Sequence, residues 1–298
     1  MKQNLPEILN IGSLNIDHVY QVPHFVLPGE TLTSSSYLRN AGGKGLNQSI
    51  ALARAGVNVA HGGKIGPEGV FLKELLATEG VDTSSILTGE MPTGHAIIQV
   101  DSGGQNNIIL YPGANRQLNH AELDEMLYSR PSGSWLLLQN EINEIPFIME
   151  QAHAHGLHIA INPAPCGPEV LNYPLQLADV LFVNEIEGAQ LASLPLTVSA
   201  KEIADSLSGL FPLQEIVLTL GSQGALYQHG DRQIFMPAEP VTPVDTTSAG
   251  DAFTGYFLAA KLRGETPQEA MRIASHAAAI AVTRQGAAAS IPRGDEVF

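Results

Sequence analysis

Asp251 closes a run of small residues, Asp245, Thr246, Thr247, Ser248, Ala249 and Gly250, that leads into a helical pattern. Such a run leaves several backbone N–H groups pointing outward from a helix N-terminus as an anion cradle, with a carboxylate at its edge. Phosphoryl transfer needs that pairing: the N–H groups neutralise charge as it develops, and the carboxylate takes the proton of the attacking hydroxyl. The competing reading makes Asp251 a first-turn carboxylate that stabilises the helix dipole. The small residues before it favour chemistry.

A second glycine-rich segment, Gly42, Gly43, Lys44, Gly45, Leu46 and Asn47, also runs directly into a helix. Glycines there let the backbone approach a ligand closely, although a strand-to-helix turn with an exposed lysine would read the same. Lys44 is followed by Gly45 rather than Ser or Thr, so this is not a Walker A loop. No G-x-G-x-x-G follows the first apolar run, which removes support for a dinucleotide fingerprint.

The elements that would hold these groups show as short apolar, β-rich runs at 8–12, 135–139, 157–161, 179–184 and 215–220. Their near-continuous apolarity predicts strands buried on both faces, the mark of a parallel sheet covered by helices. Helical patterns cover 46–55, ending at Gly56, and 249–263, ending at Gly264. Thr266, Pro267 and Glu269 predict a capping box with proline at the first helical position. Ligands of such sheets bind beyond the carboxyl ends of the strands. The residues there are polar: Asn15 and Asp17, Glu141, Asn162, Asn184 and Glu187, Thr219 and Gly221. Each alone reads as a cap or turn, but their equivalent placement predicts a shared cleft. Around 15–39 and 93–115 alternation and a hairpin signal at Asp101, Ser102, Gly103 and Gly104 replace helical periodicity, predicting a small sheet that stands where a substrate lid would sit. Gly62, Gly63, Gly66 and Gly69 read as a turn around Lys64 bordering the cleft.

Asn15 with Asp17, GGKG-x-N at Gly42 to Asn47, NPAP at Asn162 to Pro165, N-x-x-E at Asn184 to Glu187, TLG-x-x-G at Thr219 to Gly224 and DTTSAGD at Asp245 to Asp251 stand in one order. Together they resemble the ribokinase branch of the PfkB carbohydrate kinases, from about Ile8 to Pro292. The resemblance implies an α/β fold: a doubly wound, mainly parallel sheet flanked by helices, one domain over 1–298, with a small β-sheet lid that often serves in dimerisation. It implies an ATP-dependent sugar kinase acting on D-ribose at the 5-hydroxyl, with Asn15, Asp17, Gly43, Lys44, Asn47 and Glu141 on the sugar and Asp251 as general base. The N–H groups of Ser248, Ala249 and Gly250 would hold the γ-phosphate, and Asn184 and Glu187 would organise Mg²⁺ and phosphates through water. Thr219, Gly221 and Gly224 would flank the nucleotide, with Ser275, or His276 one position on, at the adenine.

The tail containing Val282, Arg284, Gly286 and Ser290 resembles the family's monovalent-cation loop. A K⁺ there would be held by Asp245, Thr247, Ser290 and carbonyls of Ala281, Arg284 and Gly286; a plain helix end capped by Gly286 is the other reading. Two departures stand out. Ser248 occupies a place where many members have glycine or alanine, and the chain ends at Phe298, so a last helix is expected to be short or missing.

Composition limits the partners. Thirty acidic residues against fifteen basic ones give a formal charge of −15, and no basic run offsets it, which argues against nucleic acid and anionic membranes. One cysteine, Cys166, and the lack of a leader pattern in 1–7 point to the cytoplasm. His153, His155 and His158 fall on different faces or elements, a poor zinc geometry, and Cys166 reads as a packing residue. Other acceptors remain open, among them deoxyribose, fructose or its phosphates, 2-keto-3-deoxygluconate and nucleosides, as does a sugar-binding regulator without catalysis. No cationic clamp for a second phosphate is visible, which favours a pentose.

Overall fold

Neighbouring residues in the central strands are buried into opposite layers, and this alternation sets the architecture. Ile8, Trp135 and Leu137 face one apolar cluster, whereas Leu9, Leu136 and Leu138 face another. The computed structural model describes residues 7–298, so the leader reading falls largely outside the described residues. Its strands, in chain order, are β1 (Ile8–Ile11), β2 (Asn15–Gln21), β3 (Ser36–Gly42), β4 (Val59–Ile65), β5 (Ile86–Thr88), β6 (Gly94–Val100), β7 (Asn106–Tyr111), β8 (Trp135–Gln139), β9 (His158–Asn162), β10 (Val180–Asn184), β11 (Glu215–Thr219), β12 (Gly224–His229) and β13 (Arg232–Pro237). The helices are α1 (Lys44–Arg54), α2 (Val70–Thr78), α3 (His120–Tyr128), α4 (Ile145–Ala154), α5 (Glu185–Leu191), α6 (Ala200–Leu210), α7 (Ala249–Leu262), α8 (Pro267–Val282) and the short α9 (Gly294–Val297).

A nine-stranded sheet runs in the order β13-β12-β11-β10-β9-β8-β1-β4-β5. Pairs from β11 to β5 are parallel, and β12 and β13 add an antiparallel edge. Helices α1, α2, α7 and α8 cover one face, α3 to α6 the other. Each fully buried aliphatic side chain in these layers contributes roughly 1.5–3 kcal/mol. The expected doubly wound core is therefore present, and all five apolar runs are strands within it, their ends shifted by a residue at most.

The sequence reading missed both edges. Gly62 and Gly63, expected in a turn, lie within β4, where a Cβ on Gly63 would meet the Gly12 carbonyl oxygen at 2.9 Å. Lys64 turns away from any cleft and pairs with Glu122 at 2.6 Å. The capping box before α8 is half made: Thr266 caps the Glu269 N–H, but the Glu269 carboxylate pairs with Arg272 instead.

The second sheet has four strands in the order β3-β2-β6-β7, with β2 and β6 parallel and the outer pairs antiparallel. Asp101 closes the β6–β7 turn by accepting from the N–H groups of Gly103 and Gln105, and Gly104 takes a positive φ of 77°. No helix covers it. Leu38, Ile108 and Ile109 are 53, 54 and 60 % exposed, far above the core.

Candidate active site

Helices α1 and α7 meet over the sheet and bring the two glycine-rich segments together. Asp251, in the first turn of α7, is buried, and both its oxygens accept from α1: Oδ2 from Asn47 Nδ2 and Oδ1 from Gln48 Nε2, each at 2.9 Å. Burial pushes its carboxyl above the usual range, opposed by the Lys44 charge and the two amides. Lys44 is a cation facing three carboxylates: burial alone would lower it, but Asp251, Glu141 and Glu187 outweigh that and raise its pKa.

Ser248 caps α7 in the left-handed region, φ 62°. Its hydroxyl reaches the Ala287 carbonyl at 2.9 Å and Ser290 Oγ at 3.0 Å, which ties the cradle to the C-terminal loop. The Gly250 and Asp251 N–H groups have no acceptor among the described residues, and a Cβ on Gly250 would meet nothing within 4 Å. Unpaired donors in the first turn are what an anion site at a helix N-terminus requires. The Ala249 N–H, in contrast, leans on the Thr246 carbonyl at 3.4 Å.

A second polar cluster is built around Gly43, Glu141, Asn15 and Asp17. Gly43 starts α1 with φ 96°, a conformation a side chain resists. Glu141 caps this helix from outside: Oε2 accepts from Lys44 N at 3.0 Å and from the Ser13 hydroxyl. Burial raises its pKa against the pull of Lys44 and Ser13. Asn15 Oδ1 accepts from Asn115 Nδ2 at 2.7 Å, and the Asn47 Oδ1 atom is buried without a partner. Asp17, on β2, is pushed from 3.8 up to about 7 by burial and by the Glu141 charge. A cavity of about 210 Å³ lined by Asn15, Leu110, Asn115, Arg116, Asn140 and Glu141 opens here, between the second sheet and the core.

Beyond the cradle, a mainly apolar cleft of about 610 Å³ is lined by Thr219, Gly221, Gly224, Gly250, Phe253 and Ser275, among others. The buried Ser275 hydroxyl has no hydrogen-bond partner, while His276 is held by Glu239 at 2.9 Å. Of the two candidates for a base contact, Ser275 is the one left free.

Asn184 and Glu187 form a reciprocal capping box at the start of α5, each side chain bonded to the other's backbone N–H at 2.9 Å. Burial raises Glu187, opposed by those bonds and by Lys44. Only one Glu187 oxygen stays uncommitted, a sparse donor set that fits an ion keeping most of its waters. No group of three or more metal-ligating side chains occurs among the described residues.

Asp245 joins its own loop to the tail, accepting from Thr247 N and from Gly286 N, both at 2.9 Å. Burial works to raise its carboxyl, yet these hydrogen bonds win and hold it below the usual value. The Val244 and Asp245 N–H groups also donate to the Val282 carbonyl, so Asp245, Thr247, Ala281, Arg284, Gly286 and Ser290 belong to one corner. Arg284 directs its side chain away, to Glu296. Cys166 stays apart from this chemistry: burial and the charges of Glu187 and Glu169 push its thiol up, away from the nucleophilic form.

Sequence reasoning passed over Ser13, Gln48, Asn115 and Gln139. Gln48 sits next to Asn47 in the glycine-rich motif, and its adjacency was the one available signal. The other three come from distant segments whose meeting only the fold reveals.

A buried carboxylate at a helix N-terminus with unpaired backbone donors, a large cleft past Gly250 and a smaller cavity at Asn15 and Glu141 together form the arrangement of a kinase that phosphorylates an alcohol. The family model for pfkB family carbohydrate kinases matches residues 5–293. The chain belongs to that family. It is 35% identical to a ribokinase of Haemophilus influenzae over 297 residues, covering 97% of this chain and 96% of the relative. Among solved structures, ribokinase from Thermotoga maritima is 34% identical with a TM-score of 0.84, covering 98% of both chains. Arabidopsis thaliana ribokinase complexed with ribose and ATP is 28% identical with a TM-score of 0.86, covering 98% of this chain and 97% of that one. The fold and family expected from the motifs are thus borne out. No helix among the described residues is long and apolar enough to cross a membrane.

Proposed function

We propose that this chain transfers the γ-phosphoryl group of ATP to the 5-hydroxyl of D-ribose, with Asp251 as general base. The observation that carries the reading is the buried Asp251 carboxylate, fixed by Asn47 and Gln48 and adjacent in sequence to Gly250, which lines the larger cleft. Vicinal hydroxyls both donate and accept, and Asn15, Asp17, Asn47 and Glu141 offer both functions to a sugar. Lys44 adds the cationic charge on that side. Asp251 takes the proton of the attacking hydroxyl, and the N–H groups of Ser248 and Gly250, joined by that of Asp251 in place of the Thr246-bonded Ala249, stabilise the transferring group. Positioning and charge neutralisation supply the catalysis, because a loose phosphoryl transition state leaves little covalent work.

The nucleotide lies in the 610 Å³ cleft, its base toward Ser275 and its phosphates past Thr219, Gly221 and Gly224. Mg²⁺ bound to the phosphates, with Glu187 and Asn184 acting through water, would neutralise nucleotide charge. The fixed Asp245 carboxylate suits a K⁺ held with Thr247, Ser290 and the carbonyls of Ala281, Arg284 and Gly286. The second sheet acts as a lid and as the face on which a second copy docks.

The test is ADP release with ATP, Mg²⁺ and K⁺ against ribose, deoxyribose, fructose, ketodeoxygluconate and nucleosides, with Asp251→Asn alongside. Ribose should be preferred, and the variant should keep sugar affinity while losing about 10²–10⁴ in turnover. Deoxyribose is the competitor to watch, since a deoxyribokinase of Salmonella typhimurium is 29% identical over 301 residues. Preference for it would overturn the ribose assignment, and comparable turnover by Asp251→Asn would overturn the base.

A further inference from the structure

Behind Asp251 the core carries a file of polar side chains that the phosphoryl-transfer reading leaves without a task. Asn10, Gln48, Ser49, His61 and Gln139 are all completely buried. Gln48 Nε2 donates to Asp251 Oδ1 at 2.9 Å, and Gln48 Oε1 accepts from Gln139 Nε2 at 2.7 Å. Gln139 Nε2 also donates to Asn10 Oδ1 at 3.1 Å, and Asn10 Nδ2 donates to Ser49 Oγ at 2.8 Å. Ser49 Oγ meets His61 Nδ1 at 2.8 Å, and His61 Nε2 meets the Gly12 carbonyl at 3.3 Å.

Both ends of this file can only accept, and that fixes every hydrogen in it. The Gly12 carbonyl requires the proton on His61 Nε2, and burial holds His61 neutral by lowering its pKa to about 4. Its Nδ1 therefore accepts from the Ser49 hydroxyl, whose oxygen accepts from Asn10. Asn10 then presents Oδ1 to Gln139, and Gln139 presents its amide nitrogen to Gln48 Oε1. Gln48 is left with its N–H toward Asp251. Turned over, Gln48 would set a carbonyl oxygen against a carboxylate and oppose its own nitrogen to the Gln139 donor.

The arrangement has a cost. Gln139 Oε1 is buried without a partner, and an unsatisfied acceptor costs about 1–3 kcal/mol that an apolar residue would avoid. Building on the kinase reading, we propose that Gln48 is a positioning residue that holds the Asp251 carboxylate in its proton-accepting orientation, and that Gln139, Asn10, Ser49 and His61 lock the Gln48 donor toward it. With Asn47 on Oδ2 and Gln48 on Oδ1, the carboxylate cannot rotate without losing a bond, and its remaining lone pairs are kept for the acceptor hydroxyl. The other charges acting on Asp251 are Lys44 on α1, Glu141 beyond β8 and Glu187 on α5; all three stay in place when Gln48 is changed.

The test compares Gln48→Met and Gln139→Met with the parent, each checked for folding by circular dichroism and thermal melting. Gln48→Met should lower kcat about 10- to 100-fold with the sugar KM within about threefold, the loss of a hydrogen bond to a charged group. Its acid limb should move up by about one pH unit, because a donor that favoured the ionised form is gone. Gln139→Met, which touches neither Asp251 nor substrate, should shift the limb the same way by less. An unmoved acid limb in folded Gln48→Met would overturn the proposal, as would a loss that falls on KM alone. Should Gln48→Met fail to fold, Gln139→Met decides by the same criterion. If the parent prefers another acceptor of the panel, the same kinetics are read with that acceptor; if it turns over none of them, the kinase reading has failed, and the network is still read by ¹³C NMR titration of the Asp251 carboxyl. Its midpoint must rise in the variants, and an unchanged midpoint sinks the network.

Discussion

Gly42 lies so close to Asp17 that a Cβ on it would meet the Asp17 Oδ2 atom at 2.1 Å. The glycine at the end of β3 thus makes room for a carboxylate on β2 and is required by a side chain rather than by its own backbone angles. Gly42→Ala should displace the carboxylate and raise the sugar KM about tenfold, the worth of one charge-assisted hydrogen bond. The ATP KM should stay within about twofold. Steady-state kinetics with each substrate varied in turn would check this, and an equal rise in both KM values would count against it.

Asp17 also makes the acceptor side sensitive to pH. Its carboxyl is raised from 3.8 to about 7, and sugar hydroxyls donate best to the ionised form. Sugar affinity should therefore tighten as pH climbs through about 7, and Asp17→Asn should flatten the profile. For stability the sign is opposite. The folded chain holds a proton that the unfolded chain has released, so this group's stabilising contribution is full below 3.8 and is lost as pH rises through about 7. The melting temperature of Asp17→Asn minus that of the parent should grow over the same interval.

Gly224 begins β12 with φ 117°, and a Cβ there would sit 2.0 Å from the Met236 carbonyl oxygen. Gly224→Ala cannot be accommodated without pushing β12 from β13. The expected cost is about 1–3 kcal/mol in urea unfolding, together with a raised ATP KM. Sugar affinity, measured by calorimetry without nucleotide, should be retained.

In the second sheet, the strand register sets side chains from all four strands on one face. Asp17 pairs with Ala96, which pairs with Leu110; Val19 pairs with Leu38 and Ile98, and Ile98 pairs with Ile108. A copy docked on Leu38 and Ile108 would cover the mouth of the acceptor pocket as well. Light scattering should give a dimer mass for the parent and a monomer mass for Leu38→Asp/Ile108→Asp, with the variant's kcat/KM for sugar falling in step. A strictly monomeric parent would remove the docking proposal.

The core strands were legible because strands buried on both faces carry an unbroken apolar signal. β4 was not, since Gly62 and Gly63 are selected by close approach to neighbours and imitate a turn. That Asp251 stands in the first turn of a helix and that the motif from Gly42 to Asn47 runs into one could be read from local residue types. Asn115 behind Asn15, Ser13 behind Glu141 and Gln139 behind Gln48 could not, because each contact joins segments about a hundred residues apart. The N-x-x-E motif is a helix cap in the structure, and a cap and a ligand set leave the same trace in a sequence.

Asp251 stands on a helix wedged into the core, whereas Asn15 and Asp17 stand on a strand of the uncovered sheet. The two places differ in what surrounds them. A substitution beside Asp251 must be absorbed by packed core, whereas one on the outer strands of the second sheet meets solvent. On the proposed reading, the part that would choose the molecule is therefore freer to change than the part that would act on it.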